Sequence, residues 1–323
     1  MKYSIIFFLI FSIISCDLKG QSIDIPGQIE VSNIQNKINV KGTKILIDNS
    51  GSYKYFDELK RFQKDSKNYF QIIEIPNQDY FKVMPNVINK INELEKQGGK
   101  LRIKKEFKLG VYNAYFALAP QGMDSEQIIL GFGDSSFSVL VMGIFENNEK
   151  SRNEIVKLVL STYYDKNMKI TLGDNLLFNL QLEDSKFKLS NVVGSVAFYT
   201  INNEQLLSNN PYANNFIVST LPNDLNDFNL KKYSDNLISK YQNNAFKEKN
   251  IDIEIISEQN YKKGEDEIVA VEMLGEYQGK KLKMFQYLKQ TTKGVILFVG
   301  TDISKNYVYF KEFKQIADMI KLK

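Results

Sequence analysis

The residues able to do chemistry in this chain are few. None of its 323 residues is histidine, so the commonest general base, the usual partner of a nucleophilic serine or cysteine and the commonest metal ligand are all missing. Zinc sites and histidine-based triads are set aside on that ground. The single cysteine, Cys16, has no second thiol to pair with, although an exported chain would be free to form disulfides. Gly131-Phe132-Gly133-Asp134-Ser135-Ser136 has the composition of a phosphate loop. Such a loop joins a strand to a helix N-terminus and usually brings a lysine, whereas this run lies between two strand-like segments and reads as a hairpin turn. Glu265-Asp266-Glu267 offers carboxylate oxygens, but three consecutive acids on an extended chain cannot converge on calcium, and Lys262 and Lys263 oppose a cation. A solvated turn after Gly264 is the expectation. No spaced acid pair or nucleophile motif stands out. The sequence therefore assigns no catalytic, cofactor-binding or metal-binding residue, and an enzyme would have to be a histidine-independent hydrolase.

Cys16 acquires its meaning from what precedes it. Met1 and Lys2 lead into the apolar run from Ile5 to Ile14, and Ser15 follows. A membrane-spanning helix needs about 20 apolar residues, while a basic start, a short apolar run and a small residue before the cut describe a secretory signal. Ile13-Ile14-Ser15-Cys16 resembles the lipobox of bacterial lipoproteins, with Ile13 standing where leucine is commoner. The resemblance implies that residues 1–15 are removed and that Cys16 is lipidated on its sulfur and acylated on its new amine, palmitate being a typical chain. Attachment to the membrane would then come from acyl chains, each buried methylene contributing about 0.8 kcal/mol. Asp17 resembles the inner-membrane retention signal of enteric lipoproteins, a rule that does not extend to other phyla, and the expected address is the outer membrane rather than the inner.

Composition bounds the remainder. With 43% apolar and 25% charged residues the chain is an ordinary globular one, long enough for two domains. Its net charge of +4, or +3 once Lys2 leaves with the signal, is too weak to suggest nucleic-acid binding. The polar stretch 16–42 reads as a lipidated N-terminus and tether, although Ile23 to Ile25 and Ile38 to Val40 alternate well enough to add short strands to the domain that follows.

Beyond the tether, the order of hydrophobic periods repeats after about 150 residues. Phe70 to Asn77 matches Phe216 to Asn223, each a strand closed by Pro-Asn. A helix follows in each copy, with Val87, Ile88, Ile91 and Leu94 on one face of the first and Tyr233, Leu237, Ile238 and Tyr241 on one face of the second. A strand and a three-strand meander come next: Val111 to Ala119, Gln127 to Phe132 and Phe137 to Phe145, against Glu267 to Tyr277, Lys281 to Lys289 and Val295 to Val299. Each copy ends in an amphipathic helix, carried by Ile155, Val156, Val159, Leu160 and Tyr163 or by Phe310, Phe313, Ile316, Ala317 and Ile320. Thr43 to Phe56 and Leu176 to Phe187 precede the matched strands and read as extended. The expectation is a tandem α+β chain, 43–165 and 168–323, each copy an antiparallel sheet with helices packed on it. This order of elements resembles the PsbP-like fold, a family of binding and assembly modules, and the resemblance implies a similar role.

One strand differs in charge between the copies. Lys100, Arg102 and Lys104 alternate with apolar residues, and the counterpart alternates Asp252 and Glu254 with isoleucines, so period-two geometry predicts a basic stripe on one sheet and an acidic one on the other. Such stripes protect a sheet edge from pairing, or they face each other and set how the copies are arranged. Tyr212, in the longest polar insertion, is a further contact candidate because loops carry recognition more often than scaffold does. Tyr112, Tyr115, Phe116, Tyr163 and Tyr164 could stack on a ligand, against the simpler reading that a sheet-rich core absorbs them. The function expected is a lipid-anchored, non-catalytic binding or assembly module with an envelope protein partner and no nucleic acid. A periplasmic small-ligand carrier is the alternative, and a deep apolar cavity would favour it.

Overall fold

The computed structural model describes residues 24–31, 36–57, 59–96, 98–174, 176–201, 213–222, 228–242, 253–277 and 279–323. Two compact units divide the chain, one ending at Asp174 and the other running to Lys323. The first contains β1 (Gln28–Ile29), β2 (Lys37–Asn39), β3 (Ile45–Asp48), β4 (Lys54–Phe56), β5 (Arg61–Gln63), β6 (Tyr69–Pro76), α1 (Tyr80–Lys96), β7 (Ile103–Leu109), β8 (Tyr112–Pro120), β9 (Ser125–Gly133), β10 (Phe137–Glu146), α2 (Glu149–Leu160) and β11 (Tyr163–Tyr164). The second contains β12 (Phe178–Asn179), β13 (Phe187–Val193), β14 (Val196–Ile201), β15 (Asn215–Pro222), α3 (Leu230–Lys240), β16 (Ile253–Lys263), β17 (Asp266–Tyr277), β18 (Lys280–Thr291), β19 (Gly294–Asp302), α4 (Phe310–Met319) and β20 (Lys321–Leu322).

The two units repeat one topology. The first main sheet has the order β1-β7-β8-β9-β10-β6-β5-β4, and the second, read from its far edge, has β16-β17-β18-β19-β15-β14-β13. Every strand from β4 to β10 thus has a counterpart in the same place, α1 corresponds to α3 and α2 to α4. Even the small ladder agrees: β11, just after α2, pairs with β3, as β20, just after α4, pairs with β12. All pairings in the main sheets are antiparallel except β1 on β7. Tight turns account for most of them, because hairpins join antiparallel neighbours whereas parallel ones need crossovers; β6 with β10 and β15 with β19 pair antiparallel across a helix and three strands instead. The Phe187–Val193 and Val196–Ile201 hairpin, turned at Gly194 with φ +59, is an element that the extended reading of Leu176 to Phe187 does not contain.

Each sheet is covered on both faces. In the first unit Phe70, Ile72, Phe116, Leu118, Ile128, Leu130, Val139 and Val141 form one cluster with Ile155, Val156 and Val159 of α2. The alternate positions Ile73, Ile75, Tyr115, Leu140 and Met142 are buried too, and point toward Val83, Met84, Val87 and Ile91 of α1. In the second unit Phe216, Val218, Phe285 and Phe298 pack with Phe310, Phe313 and Ile316 of α4, and Val269, Val271, Met284 and Val295 with Leu230 and Ile238 of α3. Double coverage explains why the central strands read as apolar runs rather than clean alternations.

The segment expected to be a tether is partly built into the first unit. Ile25 and Val40 lie in its core at 1% and 2% exposure, β1 adds a parallel strand to β7 at Lys108–Leu109, and β2 pairs with β3. The strands formed are Gln28–Ile29 and Lys37–Asn39, the first lying three residues beyond the predicted Ile23 to Ile25. Helix ends follow local chemistry: Asn148 and Asn229 cap α2 and α3 by accepting from Ser151 N–H and Lys232 N–H, and Gly98, at φ +93, closes α1 where its N–H reaches Glu95 O at 3.0 Å.

Candidate functional site

The predicted basic stripe does not form as one. Helix α1 stops at Lys96 and β7 starts at Ile103, so only Lys104 of the three cations lies in the strand. Lys104 Nζ donates to Asn92 Oδ1 at 2.8 Å and pairs with Glu95 at 2.7 Å, both on α1. Arg102 turns the other way, to the α2 face, pairing with Glu126 and donating to Asn147 Oδ1 at 3.1 Å. Lys100 is exposed beyond the end of α1. Glu254 is exposed on β16, whereas Asp252, Tyr212 and Cys16 lie outside the described residues.

The other motifs settle into scaffold. Gly131 to Ser136 closes the β9–β10 hairpin, where Asp134 Oδ1 accepts from Ser136 N–H at 2.8 Å. A Cβ on Gly133 would come within 2.3 Å of Phe137 O, so that glycine is required by the close backbone approach. Asp266 and Glu267 enter β17 after a turn at Gly264, φ +66. Tyr115 and Phe116 are core residues. Tyr164 stacks on Phe137 with ring centroids 3.6 Å apart, and Tyr112 meets Phe137 edge-on at 5.0 Å. Among the described residues no group of three His, Cys, Asp or Glu side chains could hold a metal ion.

Several of the buried titratable groups, the usual sign of chemistry, are here joints within the scaffold. Glu126 of β9, fully buried, receives Arg152 of α2 through Nε at 2.6 Å and through the terminal guanidinium nitrogen at 2.9 Å. Glu74 of β6 accepts from Lys44 N–H at 2.9 Å and Tyr164 Oη–H at 2.8 Å. Burial raises its pKa above the ordinary carboxylate range against the opposing effect of those two donors. In the second unit Lys289 Nζ donates to Ile320 O, at the end of α4, at 2.9 Å, and burial lowers its pKa. Asp302 accepts from Ser304 N–H at 2.8 Å and Tyr309 N–H at 2.7 Å, fixing the entry to α4. The crevice beneath the C-terminal end of α1, lined by Ile91, Leu94, Leu101, Ala117 and Ile129, has a cavity volume of about 10 Å³, room for a single water.

What remains open is an edge. Strand β16 runs for 11 residues and, among the described residues, pairs only with β17. Apart from Ile253 and Ser257, its residues are exposed, including Ile255 and Ile256 at 42% and Tyr261 at 41%. Its register on β17 slips between Ile255 and Ser257, leaving Ile256 as a bulge. The expected acidic stripe, Asp252 and Glu254, reaches only the beginning of this strand. The polar run that continues it, Ser257 to Lys263, has no apolar alternation to announce a strand, because neither of its faces is covered.

No protein-family model matches the chain, and a comparison with curated proteins found no match. Among solved structures, immunity protein TplEi of the T6SS from Pseudomonas aeruginosa, complexed with an "L" peptide, shares 9% identity over 90% of this chain and 99% of its own, with a TM-score of 0.28. The Tle4-Tli4 complex shares 10% identity over 90% of this chain and 99% of its matched chain, with a TM-score of 0.30. Likeness at that level assigns neither fold nor function.

Proposed function

We propose that the chain is a cell-envelope lipoprotein, held at the outer membrane by acyl chains on Cys16, and that its two α+β units, of PsbP-like type, form a non-catalytic module that binds or assembles with a protein partner. The observation that carries this reading is a contrast within the second unit. Its buried charged groups, Lys289 and Asp302, are engaged with the end of α4 and the turn before it, while a full-length strand edge is left exposed. Exposed sheet edges are where extended protein segments dock. The α1 crevice supports no carrier role, being too small for a transported ligand.

Two measurements test the reading separately. A fatty-acid analogue should label the parent chain and not the Cys16→Ala chain, and an unlabelled parent would remove the anchor. Affinity capture of the labelled protein from membranes should recover one partner in constant ratio, and a fourfold charge reversal along β16 should release it. Hydrolysis of an ester or amide substrate by the purified chain, lost on substitution of one carboxylate or serine, would replace the binding role with an enzymatic one.

A further inference from the structure

The part of β16 between its bulge and its turn is self-complementary. After Ile256 the strand runs without interruption through Ser257-Glu258-Gln259-Asn260-Tyr261-Lys262-Lys263 to the turn at Gly264. The midpoint of that run is Asn260. Pairing with β17 fixes the faces: Glu258, Asn260 and Lys262 lie opposite Val271, Val269 and Glu267, on the α3 side, while Ser257, Gln259, Tyr261 and Lys263 lie on the α4 side. The ion pairs agree, Glu258 with Lys231 of α3 at 2.8 Å and Lys263 with Asp318 of α4 at 3.2 Å.

If a second copy of this strand is laid antiparallel against the first about a two-fold axis through Asn260, each residue meets one on its own face, as a sheet requires. Glu258 then lies opposite Lys262 twice, Ser257 opposite Lys263, Gln259 opposite Tyr261 and Asn260 opposite itself. No like charges oppose. A run of a single sign, the ordinary way to protect an edge, would repel itself in this arrangement. The same edge of the first unit already carries an added strand, β1 on β7, so this side of the repeated fold accommodates one.

We infer that β16 is a self-association edge: two copies of the chain join through Ser257–Lys263 to make one sheet continuous across a two-fold axis. This deepens the binding role by naming a second copy as a partner, but it stands or falls on the purified chain alone. A two-fold contact of this kind closes on itself and stops at a dimer.

Sedimentation velocity of the purified full chain, at low salt and from about micromolar to about millimolar concentration, tests it. The parent should dimerise. Glu258→Lys and Lys262→Glu should each weaken the dimer by about tenfold or more, since two attractive cross-strand pairs become two repulsive ones. In an equimolar mixture of the two variants a mixed dimer should form with parental affinity, because each cross-strand pair then again joins one ammonium to one carboxylate. That recovery also shows that both variants fold. A parent that stays monomeric throughout, or a dimer that neither substitution weakens, overturns the inference. In the first case the partner role can still stand with a different protein on the edge, and capture from membranes reports on it independently.

Discussion

Arg152 on α2 grips Glu126 on β9 with two parallel hydrogen bonds, at 2.6 and 2.9 Å, in a place where the carboxylate has no solvent contact. A pair so buried adds little over well-packed apolar residues, yet removing one member strands the other, at a cost of about 3 to 5 kcal/mol. Arg102 also reaches Glu126, which places Arg152→Ala toward the lower end, about 3 kcal/mol. Arg102→Ala, at a side chain 18% exposed, should cost less. Urea melts of the two variants check the order. Equal midpoints for Arg152→Ala and parent would show that the pair does not join helix to sheet.

Gly300 in β19 lies under the ring of Phe313 in α4, and an added Cβ would fall 2.6 Å from Cδ2. The ring is fully buried among other aromatics, so it cannot swing aside. Gly300→Ala should destabilise by about 1 to 3 kcal/mol, the range for overpacking. Adding Phe313→Leu should return part of that loss, making the two substitutions non-additive. Gly131→Ala meets chiefly the flexible Met84 side chain, at 2.3 Å from its sulfur, with Leu140 Cδ2 farther off at 3.3 Å, and should cost less than Gly300→Ala. Thermal melts rank the three; strict additivity of Gly300→Ala with Phe313→Leu would mean that the ring does not read the glycine.

Glu74 makes the first unit sensitive to pH. Burial lifts its folded pKa above the ordinary range, so ionised Glu74 is held less well by the folded unit than by the unfolded chain. Its contribution is complete below the unfolded value, about 4.3, and is lost as pH rises through the higher folded value. In Glu74→Gln the amide nitrogen can donate to Tyr164 Oη while the carbonyl accepts from Lys44 N–H, as the protonated acid would. The variant should match the parent in acid and exceed it at neutral pH. Urea midpoints measured from acid to neutral pH decide, and two parallel curves would reject the assignment.

The duplication is legible in the sequence because hydrophobic period and turn residues survive where individual residues do not. Phe70 to Pro76 and Phe216 to Pro222 take equivalent places in their sheets, and α1 to α4 carry most of the apolar positions expected of them, although Tyr163 falls beyond α2 in β11 and Tyr241 and Ile320 cap the ends of α3 and α4. Charge was a poorer guide. Lys100, Arg102 and Lys104 alternate as a strand would, but whether a cation faces water or reaches an acid depends on residues of other elements, here Glu126 of β9 and Glu95 of α1. The open edge at Ser257–Lys263 was hidden for a related reason: a strand buried on neither face has no hydrophobic period, and only its long pairing with β17 reveals it.

The N-terminal boundary of the first unit gives the last prediction. Thr43 to Asp165 holds every strand of the repeated fold, but it omits Ile25 and Val40, which are core residues. It omits β1 and β2 with their pairing to β7 and β3, and Lys37, whose Nζ reaches Ser161 O at 2.7 Å just past α2. Burying one large aliphatic side chain contributes about 1.5 to 3 kcal/mol, so losing Ile25 and Val40 alone should cost roughly 3 to 6 kcal/mol, a large part of the stability of a small domain. A fragment of residues 24–174 should therefore unfold in one cooperative transition, and a fragment of residues 43–165 should melt far lower or without cooperativity. Within the longer fragment Ile25→Ala should move the midpoint as a core substitution does, by about 2 to 5 kcal/mol. Equal midpoints for the two fragments would mean that the segment before Thr43 rests on the unit without supporting it.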